Sequence, residues 1–238
     1  MFAFPIQAFY GKKITKEKIY QYASPTAGVK QQFVQQIEKI IWQYKLAPET
    51  INIPATKHLA EIQVVDIYLK GDVPPAVNET LLRVIDKAIS MPLYYRLFAG
   101  DQVKFSMAYK RPSEADSNKW VVETYFATPW QNAESTTQAA QPLPVALNMQ
   151  GLYEHLLRGV VTEPAKPGET LQAQMERISQ ARSLAKVLEN LTAQLTREKQ
   201  FNRQIEINRQ INGLKDQLAA LAQYCPGQFR KTAVKSEE

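Results

Sequence analysis

Ten residues, Glu61–Lys70 (EIQVVDIYLK), restrict the fold more than any other stretch of the chain. Their density of β-branched side chains favours a strand. Alternation puts Ile62, Val64, Asp66 and Tyr68 on one face and Glu61, Gln63, Val65, Ile67 and Leu69 on the other. Both faces are largely apolar, so the pattern predicts a central strand with cover on each side.

The flanking segments supply that cover. Ser24-Pro25 has the form of a helix start: serine accepts from an orphan N–H, and proline at the first helical position loses no needed donor. Val29, Phe33, Ile37, Ile40, Ile41 and Tyr44 recur at helical spacing and predict one helix over Pro25–Lys45, ended by Pro48. Thr50–Ile53 then reads as a short strand. Upstream, Phe2–Tyr10 is apolar, an edge strand or a packed arm broken by Gly11, and Thr15 is placed to cap a helix to about Tyr22.

Downstream, Gly71 and Pro74-Pro75 mark a loop, and Asn78 is placed to cap a helix over Glu79–Ile89 with Leu81, Leu82, Ile85 and Ile89 inward. Leu93–Phe98 and Val103–Arg111 flank Ala99-Gly100-Asp101 and read as a hairpin. After the polar loop Pro112–Asn118, Lys119–Thr128 adds a third strand. Asn132–Gln141, rich in Ser, Thr, Gln and Ala, reads as a flexible linker. Asn148 caps a helix through Val160 that buries Met149, Leu152, Tyr153, Leu156 and Leu157. The expected fold is therefore α+β over residues 1–160, with a four- or five-stranded, largely antiparallel sheet and covering helices.

A linker over 161–168 leads to a helical, coiled-coil-like extension over 169–224, and 225–238 reads as a disordered tail. No proline interrupts Glu169–Gln223. Leu184, Leu188, Leu191 and Leu195, resumed by Leu214 and Leu218, form an apolar stripe suited to a protein partner or to self-association. The stretch is either one helix about 80 Å long or two antiparallel helices. Burial of the stripe within the chain competes equally with a partner.

Composition narrows the chemistry. The single cysteine, Cys225, excludes an intramolecular disulfide and a cysteine-based zinc site. The N-terminus MFAFPIQAFYGKK lacks the charge order of a secretory signal, and no apolar run approaches the ~20 residues of a membrane span, so a soluble cytoplasmic protein is expected. There is no Gly-rich phosphate loop.

The net charge of +6 permits a polyanionic partner. Lys12, Lys13, Lys16, Lys18 and Lys30 cluster near the N-terminus, and Lys104, Lys110, Arg111 and Lys119 lie among Tyr109, Trp120 and Tyr125. Cations for phosphates and aromatic faces for bases are what nucleic-acid contact needs. The competing reading places the aromatics in the core and the lysines in solvent. For catalysis, Glu38, Glu49 and Glu61-Ile62-Gln63 can be cast as a divergent metal-dependent nuclease site holding magnesium. Glu61 and Gln63 as ordinary sheet residues are the alternative. His58, His155 and Cys225 are too scattered to suggest a nucleophile. No cofactor is expected outside the magnesium of the nuclease reading.

The runs PTAGVKQQFVQQIEKIIWQYKLAPETINIPAT, EIQVVDIYLK, RPSEADSNKWVVETYF and EKQFNRQIEINRQI together resemble a bacterial family known only as a domain of unknown function. The resemblance spans roughly Pro5 to Leu221. It implies a setting: members are often encoded beside SNF2-type or DEAD-box helicases and DNA methyltransferases, in islands that look like restriction or phage-defence systems. It thus implies an accessory or adaptor subunit that binds such a helicase or methyltransferase, with DNA contact. A divergent nuclease and a structural oligomer are the alternatives.

Overall fold

The computed structural model describes residues 1–71, 79–113 and 120–222, and the chain divides into two units, Met1–Thr162 and Glu163–Glu238. The first is α+β, as expected. Its sheet contains β2 (Phe9–Ile14), β3 (Ile37–Leu46), β4 (Ile62–Leu69), β5 (Leu93–Ala99), β6 (Gln102–Pro112) and β7 (Trp120–Ala127), ordered β2-β3-β4-β5-β6-β7. A short β8 (Gln131–Asn132) pairs with β6, which makes seven strands among the described residues where four or five were expected. Neighbours are antiparallel except β4 and β5, whose parallel pairing follows from the helix between them, α4 (Glu79–Ala88). The strand Ile62–Leu69 is central and almost wholly buried, as its two apolar faces require.

One face of the sheet carries α4 together with α1 (Lys16–Ala23) and α2 (Ala27–Gln36). Ile19, Phe33, Leu81 and Ile85 from these helices form one core with Val65, Ile67, Tyr95 and Leu97. Each such aliphatic side chain contributes about 1.5–3 kcal/mol by leaving water. On β6, the Lys110 N–H donates to the Tyr153 hydroxyl of α6 (Met149–Arg158) at 2.7 Å, and that hydroxyl donates to the Ala108 carbonyl at 3.1 Å. All five side chains expected inward on α6 are buried, and Asn148 caps it by accepting from the Gly151 N–H.

The expected helix over Pro25–Lys45 is corrected by the structure. Only Ala27–Gln36 is helical, and Ile37–Leu46 is strand β3. The spacing that resembled a helix has a different origin. Register shifts between Ile37 and Lys39 and between Trp42 and Tyr44 interrupt the alternation along β3, which hides its period of two. Pairing with β2 and β4 then outweighs helical spacing in a run already rich in isoleucine and aromatics. Ser24 does not start this helix. It ends α1 in the left-handed region at φ 48°, and Thr26 is the N-cap of α2. Thr15 caps α1 as expected, accepting from the Lys18 N–H.

Two further segments differ from expectation. Thr50–Ile53 is not a strand; the chain makes one helical turn, α3 (Pro48–Ile51), closed by Asn52 at φ 53°. Asn132–Gln141 is ordered, with Asn132 capping α5 (Ala133–Gln138) through the Ser135 N–H at 3.0 Å. Beyond α5, β9 (Gln141–Pro142) pairs in parallel with β1 (Phe2–Ala3), so this segment tethers the N-terminal arm. The Asn78 cap, the Pro74-Pro75 loop and most of the Pro112–Asn118 loop lie outside the described residues.

In the second unit the choice between one helix and two is settled as two, α7 (Leu171–Leu195) and α8 (Phe201–Ala222), which pack on each other across a short turn. The turn falls at 196–200, where the Glu198 carboxylate accepts from the Lys199 and Gln200 N–H groups. Gly213 lies within α8. Thr170 caps α7, and Glu169 forms a two-pronged ion pair with Arg177 at 2.7 and 2.9 Å. The tail expected over 225–238 lies outside the described residues.

Candidate functional site

Strand β2 stands at the rim of the sheet: among the described residues it pairs with β3 alone. Its residues are exposed up to Ile14. Gly11 adopts φ +65° at a register shift between Phe9 and Lys12, and a Cβ there would meet the Phe9 ring at 2.6 Å. The chain turns directly from β2 into α1 at the Thr15 cap. On α1, Lys18 and Tyr22 lie four residues apart and share a face.

These elements, with Trp42 of β3 and the end of α4, enclose an open groove of about 190 Å³. Tyr10, Lys12, Lys13, Lys18, Tyr22 and Trp42 line it over apolar residues that include Ile14 and Ile19. No carboxylate is among the described residues that line it. The Tyr10 and Trp42 rings meet at 4.6 Å, and the Lys12 ammonium lies 4.6 Å from the centre of the Tyr10 ring. Tyr22 is 61% exposed and Tyr10 37%. Behind Trp42, its indole N–H donates to Gln63 Oε1 at 2.6 Å, and the Gln63 side chain is buried. The groove therefore combines three ammonium groups with aromatic surface, one ring of which is held from within the sheet.

The other cations expected to bind nucleic acid are placed differently. The Lys16 ammonium donates to the Ile37 carbonyl at 2.6 Å, where α2 passes into β3. Burial and then neighbouring Lys70 push its pKa down. Lys30 lies 5.5 Å over the Tyr20 ring. Arg111 pairs with the Glu123 carboxylate.

Lys110 is the clearest correction. It is buried, its ammonium 2.6 Å from Asp86 Oδ1 and donating to the Met91 carbonyl at 2.8 Å. Tyr95 and Tyr125 both donate to Asp86 Oδ2. Burial pushes the Lys110 amine down, against the pull of Asp86, and lifts the Tyr95 and Tyr125 hydroxyls well above their ordinary range. A lysine sealed this way cannot reach a phosphate. The aromatics expected beside it, Tyr109 and Tyr125, are buried as well. Lys119 lies outside the described residues.

Of the residues considered for a nuclease, Glu49 and Glu61 lie together, and Glu38 does not join them. Glu61 and Glu49 converge on the Lys45 ammonium, at 2.9 and 3.2 Å. Glu38 is exposed at the opposite end of the β3–β4 pair, about 20 Å away along the strands. Gln63 is the acceptor for Trp42. Among the described residues no three His, Cys, Asp or Glu side chains are grouped to hold a metal ion. His58, in the loop before β4, and His155, on α6, are both exposed.

A second buried pair, Asp66 with Arg96, is bidentate at 2.6 Å on both prongs. The rings of Tyr44, Phe98 and Phe4 surround the guanidinium. Burial raises the Asp66 carboxyl above its ordinary value, against the pull of Arg96.

In the hairpin unit, Leu184, Leu188, Leu191, Leu195, Leu214 and Leu218 are all half-buried, and Ile207 and Ile211 are buried. Among the described residues there, the strongly exposed apolar side chains are Phe201 (73%), Ile205 (54%) and Val187 (44%). No helix among the described residues is long and apolar enough to cross a membrane.

Lysine density alone pointed to the groove. Its aromatic half was missed because Trp42 lies in a segment whose spacing resembles a helix and Tyr10 in one that reads as an apolar arm. Tyrosines on both sides of the lysine run in YGKKITKEKIYQY are the signal the sequence carries. Residues 2–218 match the family described as a domain of unknown function (DUF4391). No curated protein and no solved structure matches the chain.

Proposed function

We propose that this chain, which belongs to the DUF4391 family, is an accessory subunit that contacts nucleic acid through the groove beside β2 and docks a protein partner through its helical hairpin. The partner class is a helicase or DNA methyltransferase of a restriction or phage-defence assembly. The observation that carries the nucleic-acid half is the convergence of Lys12, Lys13 and Lys18 with Tyr10, Tyr22 and Trp42, with no carboxylate among the described lining residues. Lysines alone are common on open strand edges, where they block pairing with other chains. Aromatic rings serve no such purpose, since exposed rings invite association. Phosphates need the cations, and bases need the rings. Phe201, Ile205 and Val187 support the docking half, because they leave apolar area on the hairpin for a partner to cover.

The test is binding of a labelled DNA of about 20 nucleotides to the full chain, followed by fluorescence anisotropy across a salt series. The triple variant Lys12→Gln/Lys13→Gln/Lys18→Gln is expected to bind at least about tenfold more weakly, with a slope against log salt shallower by about two to three. Equal affinity and slope for wild type and variant would overturn the nucleic-acid half.

A further inference from the structure

We infer that the groove receives an unstacked base of a single-stranded nucleic acid, with Tyr22 as the stacking platform and Lys13 and Lys18 on the adjoining phosphates. This rests on the nucleic-acid reading above and narrows it to one form of the ligand.

Size is the first argument. The groove, at about 190 Å³, is smaller than the 300–1,000 Å³ typical of drug-sized ligands. It suits one planar base and offers no bed for a duplex. Ring exposure is the second. Tyr22 is 61% exposed on α1, and the Tyr10–Trp42 pair stands in the same groove. Bases inside a duplex have both faces covered by their neighbours, so only an unpaired base can use such a ring.

The third argument is preorganisation. Trp42 is held by its hydrogen bond to Gln63, whose side chain is buried. An aromatic wall fixed before binding loses less entropy when the ligand arrives. Lys12 now lies over the Tyr10 ring; a base approaching that face displaces its ammonium toward the phosphate, where it gains a stronger counter-charge. No base-edge reader is needed for this mode, so the groove is expected to tolerate sequence. Deoxyribose and ribose strands share the chemistry.

The test compares a fluorescein-labelled oligo-dT strand with a length-matched duplex on the full chain at one salt concentration, by anisotropy. Single strand is expected to bind at least about tenfold more tightly. Tyr22→Ala is expected to lose about tenfold on the single strand and nothing on the duplex. Tyr22→Leu keeps apolar area without a ring face and is expected to behave like Tyr22→Ala; circular dichroism checks that both variants stay folded. Equal binding of the two DNA forms, with both Tyr22 variants silent, would overturn this inference and leave the lysine-dependent reading standing. Absence of binding to either form would overturn both. Displacement of the strand by polyglutamate at equal charge concentration would also overturn it, since rings would then add nothing to charge.

Discussion

Two lysine–tyrosine clusters occupy the same α+β unit in opposite surroundings, one open and one sealed. At the β2 rim, Lys12, Lys13 and Lys18 stand with Tyr10 and Tyr22 in an open groove without a lining carboxylate among the described residues. Between β6 and α4, Lys110 stands with Tyr95 and Tyr125 around Asp86, and all of them are buried. The residue types are nearly the same. The difference is one carboxylate and the exclusion of water. With both, the cluster ties a helix to the sheet; with neither, its cations and rings remain available to a ligand. Residue type therefore says little about role until burial and counter-charge are known.

The largest effect is expected from removing one charge from the sealed cluster. Lys110→Ala leaves Asp86 buried and uncompensated, and is expected to cost about 3–5 kcal/mol in chemical denaturation. Loss of under about 1 kcal/mol would mean that water reaches Asp86 and the two clusters differ less than argued.

Gln63→Leu probes the link between core and groove. It removes the acceptor of the Trp42 indole and is expected to cost about 1–2 kcal/mol. It is also expected to weaken strand binding several-fold, because Trp42 loses its fixed position. Tryptophan fluorescence anisotropy in a Trp120→Phe/Trp130→Phe background reads that loosening at Trp42, and an unchanged signal would show that packing alone holds the ring.

An intermediate case sits in the hairpin unit. The Glu169 side chain is 9% exposed and that of Arg177 13%. Hydrogen bonds from Arg177 bring the Glu169 carboxyl down from 4.5 to about 2, against a smaller opposing effect of burial. A depressed carboxylate stabilises the folded state above its unfolded value and ceases to do so as pH falls. This contribution is therefore expected to be whole above about pH 4.5 and to disappear toward pH 2, at about 1 kcal/mol after solvent screening. Glu169→Gln should remove that part of the pH dependence in helix content measured by circular dichroism. A titration that runs identically in the variant would refute the pairing.

The smallest effect is expected at the open cluster. Lys12→Gln/Lys13→Gln should change stability by less than about 0.5 kcal/mol while reducing nucleic-acid affinity. A large loss of stability would mean that these lysines are part of the fold after all.

Much of the fold is legible in local pattern. β4 shows itself by two apolar faces, α6 by five inward positions and an asparagine cap, and the β5–β6 hairpin by two β-rich runs around Gly100-Asp101. β3 is not legible in the same way, because its register shifts erase the alternation that marks a strand. Asn132–Gln141 looks structureless because its helix is one short polar stretch without an apolar stripe, and its two ends are anchored by pairings with the distant strands β6 and β1. Of the candidate site, the lysine cluster was visible by density, but nothing local assigns Trp42 to it.

Local sequence is enough to mark the buried segments, the Thr15 and Asn148 helix caps, and the concentrated positive charge of the N-terminal region. These are consequences of near neighbours: spacing, cap chemistry and side-chain type. Which lysines face water is set by contacts between distant segments. Lys110 and Lys12 look alike in one dimension, and they part because Asp86 reaches one of them from α4 while the other stands on a strand with no outer neighbour among the described residues. Counter-charge and solvent access are set by contacts between distant segments, and those contacts separate the structural lysine from the candidate binding lysine.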